Sequence, residues 1–497
     1  MSAESAVFTT VEPSSQEVVG TFPDMSPEHV ESVVDGARIA ALWWSELGWS
    51  ERKSRLMAWK GVLARRANEL AVLVHRENGK PVDDALLEVA LTIEHLDWAA
   101  KNAEKVLSER RVRPSLLSSN HAARLSYEPL GVVAVIGPWN YPVFTPMGSI
   151  AYALAAGNAV VFKPSEFTTA VGEWLVATFA EAVPEQPVLS LVTGFAGSGA
   201  ALCAAAIDKI SFTGSTATGK KVMAAASANL TPLVLELGGK DAFLVDEDAN
   251  IAKAAEAALF GAMGNAGQTC VGVERVYVHE RVFDEFLDTI AEQARALEPG
   301  SHPESAYGPM TMPAQIEVVR RHVDDAIAAG GRAVVGGPES IGDSLIGPIV
   351  LAEVPENCSA VTEETFGPTI VINPVRDLDE AVERANSGDY GLGASIFSGH
   401  KDRAVAAAAR LRAGMVSINS WVMYAGVPAL PWGGVGQSGF GRIHGADGLR
   451  EFARSKGVVR ERFASPLVLT SFQRKPQAGA LLSKALVLLH GRRRWLR

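Results

Sequence analysis

Three features of the sequence predict an α/β fold built on a doubly wound parallel sheet. Short, nearly continuous apolar segments alternate with helical segments between Gly131 and Glu236. Glycine-bearing turns follow these apolar segments, as at Gly214–Gly219. The 497 residues, 47% of them hydrophobic, suffice for one large α/β body with additions or for two to four domains. Parallel strands covered by helices on both faces read as unbroken apolar runs, because neither face meets water.

Up to about residue 100 the chain reads as helical. Ser26-Pro27-Glu28 supplies a cap, a proline at the first helical position and an acid in the first turn. Leu56, Trp59, Leu63, Leu70 and Leu73 recur at helical spacing and predict one helix from Ser50 toward His75. Another begins near Asp83 and passes Trp98. Residues 110–128 are polar, contain a proline and end in alternation at Ala123–Tyr127, which reads as a β-hairpin or an extended arm.

The strand–turn–helix rhythm then starts. Strands are expected at Val132–Ile136, Ala159–Phe162, Val188–Val192, Lys209–Phe212 and Leu233–Leu235. Helices are expected at Met147–Ala156, Thr169–Ala182, Ser198–Ala206 and Thr216–Ala226. Ligands bind such sheets at the carboxyl ends of the strands. A second α/β region follows Glu236, with strands near Phe243, Tyr277, Ile370 and Ser417, and helices at Ile251–Met263, Val282–Leu297, Ala314–Ala329 and Leu378–Asn386.

Charge and cysteine usage narrow the function classes. A net charge of −10 argues against nucleic acid as a partner. Three cysteines form no disulfide framework and no CxxC pair, so neither a secreted scaffold nor a metal site is expected, and a cytoplasmic setting is. Met1–Ser5 show no basic n-region or apolar h-region. After Ser465 the charges are positive: Arg474, Lys475, Lys484, Arg492, Arg493, Arg494 and Arg497. With the apolar stretch Ala478–Leu489, residues 464–497 read as an amphipathic helix resting peripherally on an acidic membrane, or as a tail packed on a neighbouring subunit.

Three residues combine into one chemistry. Cys270 ends Gly267-Gln-Thr-Cys270, in a polar glycine-bearing loop suited to presenting a nucleophile. Glu236 ends an apolar strand and precedes two glycines, a setting that raises a carboxylate pKa and suits a general base. Asn140, in Pro138-Trp-Asn-Tyr-Pro142, offers an amide donor. A thiol, a base and an oxyanion donor are what acyl chemistry through a thioester requires. Cys203, in an alanine-rich helix, fits an inert thiol, and Cys358 a surface loop. The turn Gly214-Ser-Thr-Ala-Thr-Gly-Lys-Lys221 opens a helix and brings backbone N–H groups to an anion. Lys221 stands where a phosphate-transferring loop needs a hydroxyl, which disfavours phosphoryl transfer. Phe162-Lys-Pro-Ser-Glu166 follows a neighbouring strand, and its Lys163 and Glu166 can hydrogen-bond ribose hydroxyls.

These motifs, with Glu363-Glu-Thr-Phe-Gly-Pro368 and Pro431-Trp-Gly-Gly-Val-Gly-Gln-Ser-Gly439, resemble the NAD(P)-dependent aldehyde dehydrogenase superfamily over residues 20–463. The resemblance implies a Rossmann-type cofactor domain (1–109 and 129–237), an α/β catalytic domain (238–444) and a small β oligomerisation element (110–128 and 445–463). It implies that Cys270 attacks an aldehyde, Asn140 holds the oxyanion and Glu236 activates water. Lys163 and Glu166 would hold the adenosine ribose, Gly214 and Ser215 the pyrophosphate, Glu364 the nicotinamide ribose, with Trp139 and Phe366 beside the cofactor. Glu166 favours NAD and leaves NADP open. Tyr141, Trp421, Tyr424 and Trp432 would line an apolar substrate pocket that Gly148 widens. Arg454 stands where many members carry a second glutamate. Homodimers or homotetramers are the implied assemblies. A semialdehyde substrate, acyl transfer to CoA and a non-catalytic scaffold stay as alternatives; the retained Glu236 disfavours CoA, and no arginine is obviously placed for a substrate carboxylate.

Overall fold

The computed structural model describes residues 6–465 and 468–491. The arginines at 492–494 and 497 and the segment Met1–Ser5 lie outside the described residues. Contacts divide the chain into two compact units, one of residues up to Leu107 with Glu128–Arg454, the other of Ser108–Tyr127 with the chain from Ser455 onward.

Two sheets frame the larger unit. One runs in the order Gly439–Phe440, Leu233–Glu236, Lys209–Thr213, Val132–Ile136, Ala159–Lys163, Leu189–Leu191. Its five longer strands are parallel, and only Gly439–Phe440 pairs antiparallel, Gly439 opposite Glu236. Val132–Ala134 and Ala159–Phe162 are wholly buried, as their unbroken apolar sequence requires. The strand order reverses between Val132–Ile136 and Lys209–Thr213, which opens a crevice at their carboxyl ends.

The second sheet runs Arg332–Val335, Ile349–Ala352, Thr369–Val375, Val273–His279, Asp241–Val245, Gly393–Phe397, Met415–Ile418. All but the first of these strands are parallel. Gly238–Lys240, Cys270 and Glu364–Phe366 lie just before three of its strands, at their amino ends. Glycine-rich loops leaving the carboxyl ends of one sheet therefore meet loops entering the amino ends of the other.

Helices cover the first sheet. Ser26 caps Pro27–Glu46, its Oγ accepting from His29 N–H. Fully buried Trp44 and Trp59 pack edge-on to Phe179, and their indole N–H groups donate to Leu154 O (2.8 Å) and Thr178 Oγ1 (3.2 Å). The helix Phe144–Ala156 ends at Gly157, whose φ of 101° suits glycine. Asn158 follows, fully buried. Its Oδ1 accepts from Leu130 N–H (2.7 Å) and Gly131 N–H (3.0 Å), and its Nδ2 donates to Ala153 O (3.0 Å) and Phe452 O (2.8 Å).

Four expectations need correction. The chain opens with an antiparallel hairpin, Val7–Val11 with Val18–Pro23, ahead of the helices. The helix expected over Ser50–His75 is two, Gly48–Arg65 and Ala67–Asn78, broken at Arg66; apolar spacing continues across the break, so periodicity does not reveal it. Cys358 is buried in the core of the second sheet instead of lying in a surface loop. Gly445–Glu451 is a helix of the larger unit, so the smaller unit takes up the chain only from Ser455.

The smaller unit holds most of a three-stranded sheet, Ala453–Glu461, His121–Pro129, Arg110–Val112, with Arg110 opposite Leu125. Its helix Ala478–His490 exposes Leu481, Val487 and Leu488. Among the described residues no helix is long and apolar enough to cross a membrane.

Asn158→Ala removes the partner of Leu130 N–H, Gly131 N–H and Phe452 O, and we expect a loss of about 3 kcal/mol in unfolding free energy, measured by denaturant titration. A loss below about 1 kcal/mol would show that water replaces the amide.

Candidate active site

The Asn140 loop and the Cys270 loop are stitched together by amides. Asn140 Nδ2 donates to Gln268 O (2.9 Å), which leaves its second N–H free. Asn265 Nδ2 donates to Asn140 O (2.9 Å), Gln268 Nε2 donates to Asn265 O (2.9 Å), and Thr311 N–H donates to Gln268 Oε1 (2.8 Å). Asn78 Nδ2 donates to Trp139 O (3.0 Å). Asn265, Ala266 and Gly267 all have left-handed φ, at 53°, 54° and 71°. A β-carbon on Gly267 would sit 2.0 Å from Gly367 O, so only glycine fits there. The amide network holds this strained run and delivers Cys270 at its end.

Cys270 lies where two spaces meet. One is a groove of about 590 Å³ along the carboxyl ends of the first sheet. The other is a pocket of about 20 Å³ lined by Glu236, Phe144, Trp432, Leu392 and Ile443. No acceptor among the described residues takes the Cys270 N–H. Burial pushes the Cys270 thiol well up, and the carboxylates of Asp241, Glu364 and Glu236 push it further. Glu236 is buried, and neither of its oxygens accepts a hydrogen bond in normal geometry. Burial raises it far above the usual carboxylate range; the Arg442 guanidinium and the Trp432 indole offset this only in part.

The residues expected to hold a cofactor line the groove together: Trp139, Lys163, Glu166, Gly214, Ser215, Glu364 and Phe366. Gly199 and Ala200 on one helix and Thr218, Val222 and Ala225 on the next leave a slot bounded by small side chains, which suits a flat base. Ser215 caps Thr216–Ala226 and aims that helix's free N–H groups into the groove. Ser165 Oγ donates to Glu166 Oε2 (3.2 Å), and Lys163 Nζ donates to Pro164 O (3.2 Å). Trp139 and Phe366 meet edge to face at 5.6 Å. Glu364 Oε1 accepts from Gly239 N–H (2.9 Å), and burial with Glu274 nearby pushes it up to about 8. These donors, acceptors and small residues fit a dinucleotide. Cys203, expected to be inert, lies in the wall of the base slot, and burial pushes it up to about 11.

On the other side of Cys270, Tyr141 Oη lies 3.0 Å from Thr269 Oγ1, and Trp421 Nε1 donates to Val271 O (3.2 Å). Trp432 and Tyr424 pack in one cluster with Cys270. Gly148 does not open the pocket as expected: a β-carbon there would lie 2.5 Å from His444 Nε2, so the glycine makes room for an imidazole. Arg454 is exposed and pairs with Glu128 at 3.4 Å, away from Glu236; the residues beside Glu236 are Ile443 and Arg442. Among the described residues no group of three or more His, Cys, Asp or Glu is placed to hold a metal ion.

Sequence reading missed the residues that support these loops. Lys80 and Glu88 form a buried pair (2.6 Å), and Glu88 Oε1 accepts from Val143 N–H (2.8 Å) and Phe144 N–H (3.0 Å). Lys240 pairs with Glu274, which accepts from Thr365 N–H (2.8 Å) and Phe366 N–H (3.1 Å). Lys221 lines the groove as well. The one available signal was Glu88, a charge on the apolar face of the helix Val82–Leu107 beside buried Ala85, Val89 and Thr92.

The chain matches the model of the aldehyde dehydrogenase family over residues 1–458. It belongs to that family. It is 40% identical over 461 residues to the 4,4'-diapolycopene aldehyde oxidase of Methylomonas sp, covering 92% of this chain and 87% of that protein. Its fold is similar to the NAD-dependent aldehyde dehydrogenase from Sinorhizobium meliloti, with a TM-score of 0.89, 32% identity and coverage of 94% and 93% of the two chains. It is also similar to the succinate-semialdehyde dehydrogenase from Burkholderia pseudomallei, with a TM-score of 0.87, 32% identity and coverage of 92% and 95%. The family resemblance in the motifs and the mixed α/β architecture are thereby confirmed.

One feature of this member of the family lies behind the pocket. His95 and His444 pack at a tilt of 49° with ring centroids 3.9 Å apart, and His95 Nε2 lies 2.8 Å from Ala425 O. His95 Nδ1 and His444 Nε2 have no partner. Burial pushes His444 well down, with His95 adding to it, and burial pushes His95 down against the pull of the Ala425 carbonyl. The unfolded chain takes up protons below pH ~6.5 that the folded chain refuses. Stability is therefore full above that pH and falls as pH drops, by up to about 1.4 kcal/mol per pH unit for each imidazole. The thermal midpoint is expected to fall from pH 7.5 to 5.5, and to fall less steeply in His95→Gln. An unchanged slope in the variant would assign the acid sensitivity to other groups.

Proposed function

We propose that this protein oxidises an apolar aliphatic or aromatic aldehyde to its carboxylic acid with NAD(P), through a thiohemiacetal and then a thioester on Cys270. The observation that carries this reading is the position of Cys270, at the junction of the dinucleotide groove and the pocket that holds Glu236.

Cys270 gives up its proton to solvent, and its Sγ adds as thiolate to the aldehyde carbon. The oxyanion takes the free N–H of the Asn140 amide and the N–H of Cys270. A bound nicotinamide supplies the hydride acceptor. Loss of hydride from the carbon leaves the thioester. Glu236, as carboxylate, then takes a proton from water, the water oxygen adds to the acyl carbon, the C–S bond breaks to release the acid and return the Cys270 thiolate, and Glu236 gives its proton to solvent. Lys163 and Glu166 serve the adenosine ribose, Gly214 and Ser215 the pyrophosphate, and Glu364 the nicotinamide ribose, with Phe366 and Trp139 walling the groove. Glu166 favours NAD, while Lys163 and Lys221 line the same groove and leave NADP usable.

The space of about 20 Å³ beside Glu236 has room for little more than a water, while Tyr141, Trp421, Tyr424 and Trp432 around the Cys270 loop support an apolar substrate. The likeness to a succinate-semialdehyde dehydrogenase supports a carboxylated one, but no arginine or lysine lines the small pocket. Retention of Glu236 supports release to water over acyl transfer to CoA. We also propose a cytoplasmic homodimer or homotetramer built on the sheet of the smaller unit, with peripheral membrane contact through residues 464–497. The exposed Val458 and Val459 support the first, and the exposed leucines beside Lys475 and Lys484 the second.

NADH formation at 340 nm across aliphatic, aromatic and carboxylated aldehydes tests the reading, with NAD and with NADP. Apolar aldehydes are expected to be preferred, and Cys270→Ala to be silent. Glu236→Gln is expected to give one burst of NADH per active site and then turnover slowed about 10²–10⁴-fold. Asn140→Ala is expected to lower kcat about 10²–10³-fold. A preference for succinate semialdehyde would replace the substrate reading; steady turnover by Glu236→Gln would remove Glu236 as the base.

A further inference from the structure

Behind the Asn140 loop lies a buried ion pair that touches no reacting atom. Lys80 and Glu88 have side chains 0% and 1% exposed and meet at 2.6 Å. A charge pair taken out of water costs more than it returns unless its remaining hydrogen-bonding capacity is filled. Here it is filled in a directed way. Glu88 Oε2 takes the ammonium, while Oε1 takes Val143 N–H and Phe144 N–H, the first N–H groups beyond Pro138–Pro142. Lys80 Nζ also stands 3.8 Å from the centroid of the Tyr141 ring, a cation over an aromatic face.

Tyr141 carries the contact onward. Its hydroxyl meets Thr269 Oγ1 at 3.0 Å, and Thr269 adjoins Cys270. One route thus runs from Lys80 through the Tyr141 ring and Thr269 to the nucleophile. A second runs from Glu88 through two backbone N–H groups to the turn that carries Asn140. Both donors to the oxyanion, the Asn140 amide and the Cys270 N–H, are placed by the same pair. Asn78, two residues before Lys80, adds a third tie through Trp139 O.

We infer that Lys80, held by Glu88 and acting through Tyr141, is a positioning residue that sets the separation between the Asn140 amide and Cys270. The inference rests on the aldehyde-oxidising reading for its kinetic arm and on the geometry alone for its chemical arm. An apolar side chain at 80 would fill the space but would leave the ring free to tilt and Glu88 buried without its cation.

The test uses Lys80→Met, Tyr141→Phe and their double variant in the full-length protein. Two rates are measured: aldehyde turnover, and alkylation of Cys270 by iodoacetamide across pH without aldehyde or cofactor. Lys80→Met is expected to lower kcat 10- to 100-fold with KM for the cofactor changed less than threefold, and to alter the alkylation profile. Tyr141→Phe is expected to do the same to a smaller degree. The double variant is expected to be no worse than Lys80→Met, because both act through one route. Lys240→Met is the contrast: its pair supports the Phe366 loop, so its expected effect is on KM for the cofactor.

A Lys80→Met protein with normal kcat and normal alkylation would overturn the inference, and so would effects that multiply in the double variant. If Lys80→Met does not fold, Tyr141→Phe and Thr269→Val decide: unchanged alkylation and kcat in both would overturn it. If the wild type oxidises no aldehyde, the proposed function fails, while the alkylation arm still decides this inference.

Discussion

Two buried lysine–glutamate pairs hold the loops on which the reacting groups stand. Each glutamate binds its lysine and two successive backbone N–H groups: Glu88 keeps Oε2 for Lys80 and Oε1 for both N–H groups, while Glu274 Oε2 takes Lys240 and Thr365 N–H and its Oε1 takes Phe366 N–H. Glu88 grips Val143 and Phe144, and Glu274 grips Thr365 and Phe366. Successive N–H groups that both point at one carboxylate fix the turn of the chain between them. The first grip sets the Asn140 side of the site and the second sets the Glu364–Phe366 side. Buried charge makes a poor source of stability, but replacing either partner alone leaves the other stranded, which ties the loop geometry to the integrity of the pair.

A second constraint is electrostatic. Cys270 and Glu364 line the groove while Glu236 and Asp241 are buried behind it, and a charge on any of these carboxylates raises the cost of a Cys270 thiolate. Glu236 has no hydrogen-bond partner, and Asp241 has one free oxygen. Burial pushes Glu236, Asp241 and Glu364 above the usual carboxylate range. Arg442, whose Nη1 donates to Gly434 O (3.0 Å) and Gly441 O (2.6 Å), is fixed by backbone and lends Glu236 a modest positive field. Glu236 is therefore tuned first by burial, with Arg442 and the Trp432 indole as smaller opposing influences.

Much of this site was legible in the sequence, for a physical reason. Lys163 and Glu236 end strands and Asn140, Gly214, Cys270 and Glu364 stand in loops at strand ends, where glycine and proline mark the turns. The supports were not legible. Lys80 and Glu88 look like solvated charges on helical segments until the Asn140 loop, more than fifty residues on, closes over them. Counting along the chain also misplaced the neighbour of Glu236. Gly433–Gly445 doubles back through the pairing of Trp432 with Ile443, which brings Ile443 to the pocket and leaves Arg454 on the surface. The fold was read well where strands are buried on both faces and poorly where packing overrides periodicity, as at the Arg66 break and in the hairpin before Pro27.

The interlock of Gly148 with His444 has an evolutionary consequence. The imidazole occupies the volume a side chain at 148 would need, and its backbone adopts φ 62° and ψ 164°, a region nearly restricted to glycine. Neither position can drift alone: enlarging residue 148 collides with the ring, and shrinking residue 444 leaves a void behind Phe144 and Trp432. The two behave as a single heritable character. A side chain at 148 is therefore accommodated only together with a smaller residue at 444.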